Sequence, residues 1–215
     1  MKKTALLLFI FAFSTTSVFP QVIEILKRMD AHQKALKTLR ADLTISKFSL
    51  LFGGTFTKEG ALQFLPAKDK PVLRIDSTKP APESFLIVGN QSIVYLPDRK
   101  TAYTGARSDA GINLLLLFLS ISKANLAMDY TVSYTGEEKV GTIRAWHLEL
   151  TPKTAKNYKI IELWVDGNGM PVQSKITENN GDWTSIVLGN LQTNVAIKGS
   201  DFKIDLPKGT KIVKN

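Results

Sequence analysis

The spacing of apolar positions along this chain changes near residue 40. Val22, Ile25, Leu26, Met29, Leu36 and Leu39 recur at helical spacing with polar or charged residues between them. That pattern predicts one amphipathic helix over residues 21–39, with Pro20 at its start. From Ala41 the period becomes two. Leu43 and Ile45, Leu62 and Phe64, Leu73 and Ile75, and Tyr130, Val132 and Tyr134 alternate with polar neighbours. So do Trp146, Leu148 and Leu150, then Ile161, Leu163 and Val165, then Val172 and Ile176, and finally residues 183–188 and 202–206. Turn signals at Gly53-Gly54, Gly89-Asn90, residues 166–169 and residues 179–181 punctuate the series. This predicts roughly ten short strands joined mostly by tight hairpins.

Short connections make consecutive strands antiparallel neighbours. The expected fold class is mainly β (α+β): a single large antiparallel sheet. Twist curls so many strands into an unclosed half-barrel. The concave face is expected to be covered by the N-terminal helix and a central helical lid. The lid is the run at residues 112–119, the most apolar stretch after the N-terminus, expected to continue as short helix to about Asn125. A segment apolar on nearly every side faces a greasy interior. Residues 103–110, just before it, read as polar and turn-rich. Pattern alone leaves a solid core and an apolar cavity equally open.

The first twenty residues have a different character. Lys2 and Lys3 precede the apolar run at residues 5–13, and small and hydroxyl residues follow. That order predicts a secretory signal peptide over residues 1–20, cut between Ser17 and Gln21. The run is shorter than the ~20 residues needed to span a bilayer. Residues 21–215 are then expected to form one exported, soluble domain. With no cysteine among the 215 residues, that domain rests on its hydrophobic core rather than on disulfides. The missing cysteine also excludes a lipidated N-terminal cysteine. The net charge of +9 favours anionic partners. The lysines are scattered rather than striped between aromatics, so nucleic acid is not expected as a partner.

Catalytic chemistry finds little support. His32 and His147 are the two histidines, and both read as surface residues. No His/Asp/Glu cluster has metal spacing, and no nucleophile elbow or phosphate-binding loop appears. Glu137-Glu138 beside Lys139 reads as a solvated turn. No enzymatic activity, metal or cofactor is expected.

Residues 148–153 (Leu-Glu-Leu-Thr-Pro-Lys), 161–166, 169–172 and 201–210 form an ordered set. So do residues 36–39, 41–46, 60–66, 80–84 and 88–97 in the first half. By these segments the chain resembles the periplasmic outer-membrane lipoprotein carrier family (LolA). The resemblance implies an eleven-stranded unclosed barrel that shields lipoprotein acyl chains. It also implies two partners: an inner-membrane ATP-driven lipoprotein release complex, and an outer-membrane receptor or the outer membrane itself. The carrier is expected to act as a monomer. On this resemblance Leu62, Phe64, Leu65, Leu73, Ile75, Phe85, Ile87 and Tyr95 line the sheet, and Leu114, Leu115, Leu117 and Phe118 belong to the lid. The family pattern has an arginine before the proline that matches Pro66, where it latches the lid; Leu65 stands there in this chain and implies closure by apolar contact.

A magnitude constrains that mechanism. Three acyl chains carry on the order of 45 methylenes at ~0.8 kcal/mol each, roughly 35 kcal/mol. Non-covalent affinity saturates near ~20 kcal/mol, so cargo must pass from one apolar phase to another rather than enter from water. A periplasmic lipid-binding or envelope-stress regulatory protein of the same half-barrel fold is the alternative reading. Proteins of that regulatory kind carry a further C-terminal domain, whereas this sequence stops at Asn215 after its last expected strand.

Overall fold

The computed structural model describes residues 18–67, 70–106, 115–116, 118–119 and 123–214. Most of the expected signal peptide (residues 1–17), together with Leu114 and Leu117, lies outside them. One twelve-stranded sheet organises the described residues, and it does not close. In chain order the elements are α1 (Val18–Ala35), β1 (Leu39–Ser49), β2 (Gly54–Leu65), β3 (Val72–Lys79), β4 (Glu83–Val88), β5 (Gln91–Leu96) and β6 (Thr101–Ala106). Then follow α2 (Lys123–Asp129), β7 (Tyr130–Val140), β8 (Ile143–Pro152), β9 (Tyr158–Asp166), β10 (Pro171–Glu178), β11 (Trp183–Thr193) and β12 (Lys211–Lys214).

Hairpins generate most of the order, as short antiparallel connections require. Two pairings are not local. β1 lies between β2 and β11, which joins the two runs of hairpins into one sheet. β12 adds in parallel to β6, so β12 and β7 are the sheet's two edges.

Alternation assigns the faces. One row runs across Leu62, Ile75, Phe85, Val94 and Tyr103 on β2 to β6, and the next across Leu39, Phe64, Leu73 and Ile87 on β1 to β4. On the other half, Leu148, Leu150, Ile161 and Leu163 share that face with Ile186 and Leu188. Most of these side chains are buried, several completely. α1 covers this concave face with Ile25, Leu26 and Met29, and Leu36, the residue after it, is buried with them. Leu115, Leu116, Phe118 and Leu119 are helical and buried against it, as is Leu126 of α2.

Several expectations need correction. α1 starts at Val18 and stops at Ala35, rather than spanning 21–39. Asn194 takes the chain over there: its Oδ1 accepts from Lys37 N (2.7 Å) and its Nδ2 donates to Ala35 O (3.2 Å). Leu39 is then free to pair with Thr193 and Phe64, so the sheet outcompetes another helical turn. Residues 101–106 form β6 instead of a turn, because β5 supplies a ladder for them.

Residues 202–206 are not a strand. A 3₁₀ turn (Gly199–Phe202) opens a strap, and Arg74 Nη1 on β3 donates to Asp201 O (2.8 Å) and Lys203 O (2.7 Å). Further on, Lys211 pairs with Thr101 of β6. Between those points the strap crosses the convex face. Its alternation of half-buried Phe202, Ile204 and Leu206 with exposed Lys203 and Asp205 is real, but it comes from lying flat on a sheet rather than from a ladder.

Candidate functional site

The helices do not roof the whole concave face. Toward β4–β6 a cavity of about 600 Å³ remains, in the size range of a single small-ligand site. Its apolar wall is Ile45, Phe56, Ile75, Phe85, Val94, Leu96, Tyr103 and Ile186. The register explains the set: Ile75, Phe85, Val94 and Tyr103 are one cross-strand row, and Ile45 sits opposite Ile186. Polar groups gather at the end where Lys47, Thr57, Lys58, Pro80 and Glu83 line it. Lys58 Nζ donates to both Glu83 carboxylate oxygens (2.9 and 3.0 Å), which neutralises charge at the cavity wall. The far end reaches Gly105 and Ala106, separated by five residues from the expected lid at residues 112–119.

The sequence-derived residues divide into groups. Ile75 and Phe85 line the cavity. Leu62, Phe64, Leu73 and Ile87 share its face, but they are buried in the core. Leu115 and Phe118 are buried in that core too. Leu65 and Tyr95 are misplaced. Each is one residue from a concave position, so each points to the convex side. Leu65 pairs with Val72, and a side chain there neither lines nor latches the covered face. Tyr95 pairs with Ala102 and is buried with it on the convex side, in the path of the strap. The residues missed are Ile45, Phe56, Val94, Leu96, Tyr103 and Ile186. Residues 93–96 read Ile-Val-Tyr-Leu, apolar at every position, so no alternation marks which of them face inward.

The two histidines are less exposed than expected. His147 is 7% exposed on the convex face, stacked on Trp164 at 4.3 Å. Its Nδ1 lies 2.9 Å from Glu138 Oε1, while Trp164 Nε1 donates to Glu138 Oε2 (2.8 Å). The Trp164 and His147 hydrogen bonds hold the Glu138 carboxyl below its usual pKa, so Glu138 is exposed as expected but serves as an acceptor on β7 rather than standing in a turn. Glu137 pairs with Arg144 at 2.7 Å. His32 lies among Met29, Leu36, Phe118 and Leu119, and burial lowers its pKa against a smaller upward pull from Asp166. Tyr130 and Tyr158 share a 2.6 Å hydrogen bond where α2 enters β7, and burial raises the Tyr130 pKa. Among the described residues no group of three His, Cys, Asp or Glu could hold a metal ion. No helix of the described residues is long and apolar enough to cross a membrane.

Solved structures share this architecture at low identity. An uncharacterized conserved protein from Thermus thermophilus matches with a TM-score of 0.58 and 13% identity, covering 91% of this chain and 99% of that one. MucB matches with a TM-score of 0.58 and 16% identity over 86% of this chain, which spans 63% of MucB. MucB in complex with MucA(peri) matches at 0.54. The Mycobacterium tuberculosis lipoprotein LppX matches with a TM-score of 0.53 and 12% identity, covering 83% of this chain and 98% of that one. These likenesses show the fold. No curated protein matches by sequence. The sequence model described as outer membrane lipoprotein carrier protein LolA matches residues 57–205, from the cavity-lining Thr57 to the convex strap, and the chain belongs to that family.

Proposed function

We propose that this protein is a periplasmic carrier that shields lipoprotein acyl chains between the inner and outer membranes. The observation that carries the reading is an apolar cavity left between a curled sheet and its helical cover, in a chain of the lipoprotein carrier family. The apolar row of Ile75, Phe85 and Val94 solvates methylenes, the charged groups gather at one end where Lys58 pairs with Glu83, and no described wall residue forms a nucleophile–base pair arranged to hydrolyse an ester. On this reading the protein is no enzyme. Its donor is an ATP-driven release complex and its acceptor is an outer-membrane receptor or the outer membrane, because the uphill step cannot come from a passive cavity.

The test is binding of a fluorescent fatty acid to the purified protein, compared with Val94→Trp. Val94 sits mid-row in the cavity, so an indole there fills the space while the core behind it stays intact. The wild type is expected to bind, and the variant to lose roughly tenfold or more in affinity with unchanged thermal unfolding. Absence of binding by the wild type overturns the reading. The match to MucB bound to MucA(peri) favours a second reading, in which the cavity face receives a partner protein's segment. Copurification with a membrane-anchored regulatory protein, and not with lipoproteins, decides for it.

A further inference from the structure

We propose that the β1–β2 hairpin tip docks this protein on an anionic lipid bilayer, with the cavity mouth turned to the lipid. The tip is residues 50–53, and its apolar side chains have no cover: Leu50 is 64% exposed, Leu51 85% and Phe52 74%. Phe56, 63% exposed, packs edge-on to Phe52 at 6.4 Å. Large apolar side chains clustered in this way mark an interaction site rather than ordinary surface.

The tip protrudes. β2 pairs with β1 down to Gly54, but its ladder with β3 stops at Glu59 and Lys79. Residues 54–58 therefore overhang β3 by about 17 Å at ~3.4 Å per residue. The turn itself is built firmly: Leu50 N donates to Asp182 Oδ1 (2.7 Å), and Gly53 takes the left-handed conformation (φ 61°). Below it Phe48 stacks on Trp183 at 5.9 Å, an aromatic pair at the depth where a bilayer interface would fall.

Charge selects the occupant. The β5–β6, β8–β9 and strap turns lie at the same end of the sheet as the tip. They carry Arg99, Lys100, Lys156 and Lys208, all exposed, and Lys47 stands exposed beside the tip on β1. Of the carboxylates at this end, Glu83 is held by Lys58 and Asp182 by the turn. Asp98, Asp129 and Glu178 also lie here, outnumbered by the five cations Lys47, Arg99, Lys100, Lys156 and Lys208. An apolar point ringed by cations on a chain of net charge +9 fits an anionic membrane surface. At the tip, a protein partner adding a strand would find residues 54–58 open on one side. Pairing there would leave Leu50, Leu51 and Phe52, which lie beyond that edge, uncovered. Phe56 belongs to the tip and also lines the cavity, together with Lys47 and Pro80, so docking sets the cavity mouth on the lipid.

This goes beyond cargo binding and is measured apart from it. The experiment is cosedimentation of the full chain with phosphatidylcholine vesicles, with and without phosphatidylglycerol. The chain has no cysteine, so Leu51→Cys carrying an NBD label reports on the tip alone, and Asn90→Cys at the opposite end is its control. Expected are salt-sensitive binding to the phosphatidylglycerol vesicles and a several-fold NBD increase at residue 51 but not at 90. The double variant Leu51→Glu/Phe52→Glu is expected to lose about tenfold in vesicle binding while keeping its unfolding temperature and fatty-acid binding. Val94→Trp is expected to lose the fatty acid and keep the vesicles. Equal vesicle binding by the Glu variant overturns the proposal. So does an unchanged NBD signal, or tip-dependent self-association with no vesicle binding.

Discussion

His32 shows how one buried ring couples stability to pH. It lies on α1 beside the helical residues Phe118 and Leu119, and its Nε2 is buried without a hydrogen-bond partner. Burial lowers its pKa from 6.5, while Asp166 offsets part of that shift. The unfolded chain therefore binds a proton that the folded chain resists, and stability falls as pH drops below 6.5 toward the folded value. Denaturant unfolding at a series of pH values is expected to show this loss, and His32→Leu to flatten it across that window. Glu138 acts in the same direction at lower pH, since its folded pKa is depressed and its contribution is lost as the carboxyl protonates. Gly169 contributes by what it lacks. A Cβ there would meet the Arg28 backbone, so the β9–β10 turn approaches α1 only with glycine.

At the scale of elements, the strap decides how β6 is held. β6 has β5 on one side and only four residues of β12 on the other. β12 arrives there because Arg74 grips the strap by two carbonyls while its own Nε is held by Asp76 (2.7 Å), and because Arg40 pairs with Asp201 (2.9 Å). Arg74→Ala removes a half-buried charged donor from two carbonyls, at a cost of about 2 kcal/mol. Limited proteolysis is expected to cut the variant faster within residues 199–210, and denaturant unfolding to register the loss. An uncut strap in that variant means apolar contact of Ile204 and Leu206 holds it without the arginine.

For the whole molecule, volume constrains the proposed carriage of acyl chains. Taking a methylene as about the size of water's ~30 Å³ share of the liquid, some 45 methylenes need over twice the cavity present. Cargo with three chains then enters only if the cover moves off the sheet. The sheet is the rigid body, with each interior strand paired on both sides, whereas α1 and α2 join no ladder and rest on side-chain packing and a few hydrogen bonds such as Asn194 Nδ2 to Ala35 O and Lys153 N to Asp129 O. Hydrogen exchange with a long-chain lipid bound is expected to quicken in α1 and α2 and to stay unchanged in β1, β2 and β11. Unchanged exchange throughout means the cargo fits the cavity as it stands, one chain at a time.

Alternation of Leu62 and Phe64, of Leu73 and Ile75, and of Leu148 and Leu150 with polar neighbours determined by itself that a large sheet has one oily face, and the spacing of Ile25, Leu26 and Met29 determined that a helix covers it. Those signals are local: each strand or turn writes its own period. Tertiary structure alone decided where α1 ends, since Asn194 is 157 residues from the Lys37 amide it caps. It also decided that residues 202–206 lie across the sheet instead of within it. The inward parity of residues 93–96 belongs with these, because four consecutive apolar side chains carry no face until Phe85 and Tyr103 flank Val94. A cavity is a property of what distant strands leave unfilled between them, and no stretch of sequence encodes it.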